Sequence, residues 1–152
     1  KKCGCGASGC IEAYASATAI AEMAKEKIRN RRQSAITGMV NGDLNKITSK
    51  TVYEALLNKD RVASEVWDDF IRYLSASLAG IINTLNPGVV VIAGGVINAG
   101  KTLFVPLRKE TAKKAFAAPF NDAVIVPAKL GELAGAIGAA GLAINEGDYY
   151  GL

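Results

Sequence analysis

Val89-Val90-Val91-Ile92-Ala93 is the stretch that most limits what this chain can fold into. It is unbroken, apolar and mostly β-branched, which favours extended backbone and leaves no polar face for water. Such a run reads as a strand of a parallel sheet covered on both sides. Asn86-Pro87-Gly88 ahead of it stops any preceding helix, and Gly94-Gly95 behind it turns the chain. Val124-Ile125-Val126 repeats the pattern as a second buried strand. Parallel strands need a crossover, usually helical, so the expected class is α/β, rich in helix, with two buried parallel strands.

The rest of the chain supplies the helices. Ile11, Tyr14, Ala15, Thr18, Ala21, Ala24 and Ile28 recur at helical spacing and predict a helix from Cys10 to about Arg29. Residues 32–46, with Gly38, Asn41, Gly42 and Asp43, read as a flexible connection. Thr48 or Ser49 is placed to cap a short helix carrying Val52, Leu56 and Leu57. After a turn at Asn58-Lys59-Asp60, Val62, Val66, Phe70, Leu74, Leu78, Ile82 and Leu85 mark one long amphipathic helix. Another helix is expected to reach about Ala118 and end at Pro119, with Pro106 tolerated only in a first turn. A last helix spans Gly131 to Ile144, its Gly131, Gly135 and Ala139 forming a small-residue stripe suited to close packing.

At 152 residues, half of them hydrophobic and 21% charged, the chain suits one domain with a packed core. The net charge is only +4, and Lys25, Lys27, Arg29, Arg31 and Arg32 cluster without interleaved aromatic rings. They read as a solvated helix end rather than a nucleic-acid surface. The most apolar run, Leu133 to Ile144, is well short of the roughly 20 residues that cross a bilayer. With no secretory segment visible, the expected setting is cytoplasmic, without membrane partners.

Chemistry concentrates at the start. All three cysteines, Cys3, Cys5 and Cys10, lie in a short glycine-rich string. An odd number of thiols cannot all pair within one chain, so metal ligation is favoured over disulfides. Zinc favours such sulfur donors, usually four of them in a tetrahedron, yet the chain has no histidine to add. The fourth ligand lies elsewhere, or the site is open, or there is no metal site. A second focus is Gly95-Val96-Ile97-Asn98-Ala99-Gly100-Lys101-Thr102, which spells a phosphate-binding P-loop between a strand and a helix. Against it, few residues follow to complete such a domain, and the next strand ends Val126-Pro127 without an acid for magnesium. Gly94-Gly95 also admits a simpler reading: a strand end that a nucleotide or another backbone can approach closely, or a tight turn and nothing more.

Taken together, Cys3, Cys5, Gly6, Gly9, Cys10 and Glu12 resemble the cysteine signature of the ROK family of sugar kinases and repressors. Residues 86–100 resemble the family's adenosine-side strand and turn, and residues 126–141 its closing segment. Within the family the chain is most similar to bacterial glucokinases. The resemblance implies the carboxyl-terminal part of an actin-like, ribonuclease H-like sugar kinase fold. Residues 1–12 would form a zinc loop in which Cys3, Cys5 and Cys10 hold a structural zinc and place Glu12 against sugar hydroxyls. Gly94, Gly95 and Val96 would border the nucleotide, and Lys101 and Thr102 would be ordinary helix-entry residues.

The resemblance further implies ATP-dependent phosphorylation of a hexose, glucose above all, with ATP and Mg2+ as co-substrate. The family's histidine ligand, phosphate loop and catalytic aspartate all belong upstream of these motifs, so no catalytic base is expected in residues 1–152. The chain is therefore expected to be a carboxyl-terminal lobe lacking its amino-terminal lobe, inactive alone, and to oligomerise or pair with the missing part. The alternative within the family is the effector-binding domain of a sugar-responsive transcriptional repressor. A P-loop nucleotide-binding protein is the remaining one.

Overall fold

The computed structural model describes residues 1–30 and 32–144. Among these residues there are seven α-helices and a two-stranded sheet: α1 (Ala17–Arg29), α2 (Ala35–Met39), α3 (Ser49–Leu57), α4 (Arg61–Leu85), α5 (Lys101–Ala112), α6 (Ala117–Asp122) and α7 (Ala134–Ile144). The strands are β1 (Val89–Ile92) and β2 (Val124–Pro127), paired parallel with Val89 opposite Val124 and Ile92 opposite Pro127. Short 3-10 turns occupy Ile11–Ala13, Leu44–Lys46, Gly95–Ala99 and Gly131–Leu133.

The amphipathic α4 is the spine, packing against α1, α3 and α5. Asp60 caps its start, accepting from the Ala63 amide at 2.8 Å, and Asn86 ends it in the left-handed conformation, with φ 44°. The same Asp60 carboxylate accepts from Ser34 Oγ (3.0 Å) and from the Ala35 amide (2.8 Å), so one side chain ties the starts of α2 and α4. The stripe expected on α4 is the core as far as Ile82: Val62, Val66, Phe70, Leu78 and Ile82 are buried, facing Ile20 and Ala24 of α1, Val52 of α3 and Leu103 and Leu107 of α5, whereas Leu85, in the last turn of α4, is exposed.

Local chemistry redraws several sequence expectations. The first long helix starts at Ala17 rather than Cys10, because the Ser16 side chain caps the Ala19 amide at 3.0 Å and the preceding residues close into a 3-10 turn. The segment read as a flexible connection contains α2, capped by Ser34, and the 3-10 turn opened by Asp43. Thr48, not Ser49, caps α3, through a reciprocal box with Thr51. Pro106 sits in the middle of α5 rather than in a first turn, and Pro119 opens the short α6 instead of ending a helix. Lys27 and Arg32 bind Glu65 of α4, and Lys27 also binds Asp69, so part of the basic cluster is an inter-helix ion-pair network, not a solvated end. Arg31 lies outside the described residues.

The strands are where expected, but they are not buried on both faces. Ile125 is 2% exposed, whereas Val89, Val91 and Val124 are 58%, 58% and 53% exposed. Helices cover one face, and no described element covers the other. Gly131 falls in the 3-10 turn ahead of α7, and Gly135 and Ala139 of the small-residue stripe are exposed, with open space where a Cβ on Gly135 would stand. No described helix is long and apolar enough to cross a membrane.

Candidate functional site

Two separate places collect the residues singled out in the sequence. The first is the loop of residues 1–12. It folds back on itself through a bridge between Lys2 and Ser8, with Cys3 N–H donating to Ala7 O (2.8 Å) and Gly6 N–H to Cys3 O (3.0 Å). Gly6 and Gly9 stand at φ +92° and +86°, a region L side chains rarely enter, which is why glycine recurs between the cysteines. The reversal brings the three sulfurs together, all within 4.8 Å of one another.

Cys5 Sγ and Cys10 Sγ are 3.6 Å apart. Two thiolates on one tetrahedral zinc, each at about 2.3 Å, would stand about 3.8 Å apart. The donor chemistry and the spacing therefore fit a single soft metal ion, with one coordination position left for a ligand from outside the three cysteines. The thiols already polarise each other. A hydrogen bond from the Ala7 amide, and then those from Cys10 and Cys3, lower the pKa of Cys5; bonding to Cys5 and Cys3 raises that of Cys10. The two shifts run in opposite directions, and a divalent cation bound between the sulfurs would favour the thiolate at both.

Glu12 belongs to the same place. It lies in the 3-10 turn Ile11–Ala13, not in the first turn of α1, and its Oε2 is 3.9 Å from Cys3 Sγ. An exposed carboxylate held beside the cysteine cluster presents two acceptor oxygens to any hydroxylated ligand.

The second place is the carboxyl end of β1. A cavity of about 590 Å³ opens there, walled by the Gly95–Ala99 turn on one side and by α3 and Trp67 of α4 on the other. Gly95 and Val96 line it; Gly94, at φ +94°, supports the turn by accepting from the Ile97 amide at 3.1 Å. The position agrees with the general rule that ligands of α/β proteins bind beyond the carboxyl ends of parallel strands. The string Gly95–Thr102 does not form a phosphate cradle. It folds as a closed 3-10 turn running into α5, in which the Ile97 and Gly100 amides are spent on the carbonyls of Gly94 and Ile97 (3.1 and 3.0 Å). None of the cysteine-loop residues lines the cavity.

Tyr53 and Trp67 escaped the sequence reading. Their rings meet at 5.5 Å between centroids on the cavity wall, and Trp67 continues to Phe70 at 5.4 Å. The available signal was Trp67 itself, the single tryptophan, whose indole N–H needs a partner when buried.

Known proteins resemble this chain in sequence and in fold. The glucokinase of Thermotoga maritima is 34% identical over 140 residues, which cover 92% of this chain and 44% of that protein. The crystal structure of a ROK family glucokinase from Streptomyces griseus, in complex with glucose and AMPPNP, superposes with a TM-score of 0.80 at 31% identity, over 92% of this chain and 46% of that one. The Escherichia coli transcriptional regulator NagC is 34% identical over 103 residues, 68% of this chain and 24% of the regulator. The chain thus spans less than half the length of the relatives it matches, and both kinases and DNA-binding regulators are among them. The sequence profile of the ROK family matches residues 1–146, and with its helix-rich, actin-like sugar kinase fold this chain belongs to that family.

Proposed function

We propose that this chain is the carboxyl-terminal lobe of an ATP-dependent hexose kinase, with glucose as the expected sugar. The observation that carries the reading is the pairing of two sites of complementary chemistry on one chain. One is a sulfur cluster beside an exposed carboxylate, the other an aromatic-walled cavity at the end of β1. Similarity to glucokinases over 92% of the chain supports the same assignment.

In this reading Cys3, Cys5 and Cys10 hold a zinc whose role is to brace the loop. Glu12, fixed beside it, accepts hydrogen bonds from two neighbouring sugar hydroxyls and so orients the ring. The Gly95–Ala99 turn and the Tyr53–Trp67 wall receive the adenosine of ATP, which arrives with Mg2+ as co-substrate. Transfer of the γ-phosphoryl group needs little covalent chemistry from the protein; it needs the two substrates aligned and water excluded. The group that takes the proton from the attacking hydroxyl, an aspartate by analogy with the family, belongs to sequence outside these 152 residues. The lobe alone is accordingly expected to bind without turning over.

A second reading, the effector domain of a sugar-responsive repressor, is favoured by the match to NagC. The two separate in one assay on the protein that contains this chain. A kinase forms sugar phosphate and ADP in equal amounts. A repressor instead binds DNA and is released by sugar with ATP left intact, and that result would remove the kinase assignment.

A further inference from the structure

Pro106 occupies the middle of α5 and has no amide hydrogen, so the helix bond that would run from position 106 to the carbonyl of Thr102 cannot form. That carbonyl is not left to itself. The indole Nε1–H of Trp67, on α4, donates to Thr102 O at 3.2 Å. Trp67 is 5% exposed, and it also lines the cavity at the end of β1. Thr102 lies in the first turn of α5, directly after the cavity-lining turn Gly95–Ala99, and the two are continuous. Gly100 N–H donates to Ile97 O (3.0 Å), while Gly100 O accepts from the amides of Leu103 and Phe104 (3.1 and 3.0 Å).

We propose that Trp67 is a positioning residue for the nucleotide, its indole N–H holding the carbonyl freed by Pro106 and so fixing the Gly95–Ala99 turn against α4. The inference rests on the nucleotide reading of the cavity. Proline and tryptophan act as a pair: the first withdraws a donor from the helix, the second replaces it from across the cavity wall. A purely local helix bond at Thr102 would hold α5 to itself. The replacement bond holds the start of α5, and the turn before it, to the opposite wall.

Calorimetric titration of MgADP and of glucose into the protein that contains this chain tests the idea. Trp67→Phe keeps an aromatic ring and removes the donor; it is expected to weaken MgADP binding about tenfold. Glucose affinity should stay within about twofold, because the cysteine loop is a separate site. Pro106→Ala restores an amide hydrogen at position 106 and satisfies the Thr102 carbonyl within α5 but not across the wall, so Trp67→Phe combined with Pro106→Ala should still bind MgADP about tenfold more weakly than the parent. No MgADP binding by the parent would remove the nucleotide reading, and this inference with it. Parent binding together with an unchanged Trp67→Phe variant, or with affinity returned to that of the parent once Pro106→Ala is added, would overturn the role of Trp67 alone. Should Trp67→Phe fail to fold, the double variant is compared with Pro106→Ala. It must bind MgADP about tenfold more weakly than Pro106→Ala, and equal binding by the two overturns the proposal.

Discussion

At the scale of single residues, charge and sulfur decide the behaviour. Glu65 accepts from Arg32 Nη2 at 2.6 Å and also pairs with Lys27, and these contacts, the Arg32 bond foremost, hold its carboxyl below the ordinary range. Glu110 is lowered in the same way, chiefly by its bond to Lys113. A carboxyl with a depressed folded-state pKa stabilises the fold above its unfolded pKa, about 4.3, and loses that contribution as pH falls through the folded value. Melting temperature should therefore hold from neutral pH to about 5 and fall below about 4.3, and Glu65→Gln should make that fall shallower. At the cysteine loop, Cys10→Ser removes one sulfur of a set that already needs an outside ligand. Zinc per chain, measured by elemental analysis beside intact mass, should drop from about one to well below it. Cysteine spacing made the sulfur cluster legible in the sequence, because a tight glycine-rich loop can hardly keep three sulfurs apart. Neither the hydrogen bond between Glu12 and Cys3 nor the one between Trp67 and Thr102 was legible. Each joins partners whose approach depends on how whole elements pack.

At the scale of elements, periodicity served where burial is one-sided and failed where capping decides. The α4 stripe, read from Val62 to Leu85, holds as far as Ile82, because a long helix must bury one face; Leu85, in the last turn, lies beyond the elements that cover it. The start of α1 was misplaced because alanine-rich sequence is helical by propensity on both sides of Ser16, and only the Ser16–Ala19 bond marks the boundary. Residues 35–39 were missed because a helix of five residues carries almost no periodic signal. Pro106 misled for a different reason: its cost within α5 is offset by a donor 39 positions earlier in the chain (106 − 67 = 39). Asp60 gives the sharpest test at this scale. Asp60→Ala removes the cap of α4 and the acceptor for Ser34 and the Ala35 amide together, and should destabilise the fold by about 2 kcal/mol in urea titration.

At the scale of the molecule, the sheet is finished on one side only. Val124 N–H donates to Gly88 O and Ala128 N–H to Ile92 O (3.0 and 2.8 Å), which fixes the parity of the pairing. The backbone of Ile125 and Pro127 then points away from β1, and that of Val89 and Val91 away from β2. The outer edge of β2 is closed: Arg108 Nε and Nη2 bind Ile125 O at 3.1 and 2.7 Å, and Pro127 has no amide hydrogen to offer. Further strands can therefore join only at β1, where Val89 and Val91 are also exposed. In the lobe alone the Val89 and Val91 amides should exchange with deuterium rapidly; in the protein that contains this chain they should be strongly protected. Fast exchange in both would show that β1 is a true edge. The cysteine loop with Glu12 and the cavity at the end of β1 carry the kinase reading, and Glu12 separates them most directly. In that same protein, Glu12→Ala should lower kcat/KM for glucose by about 10- to 100-fold, the loss of one or two charge-assisted hydrogen bonds, with MgADP affinity within about twofold of the parent. Unchanged glucose kinetics, or an equal loss of MgADP binding, would contradict the account.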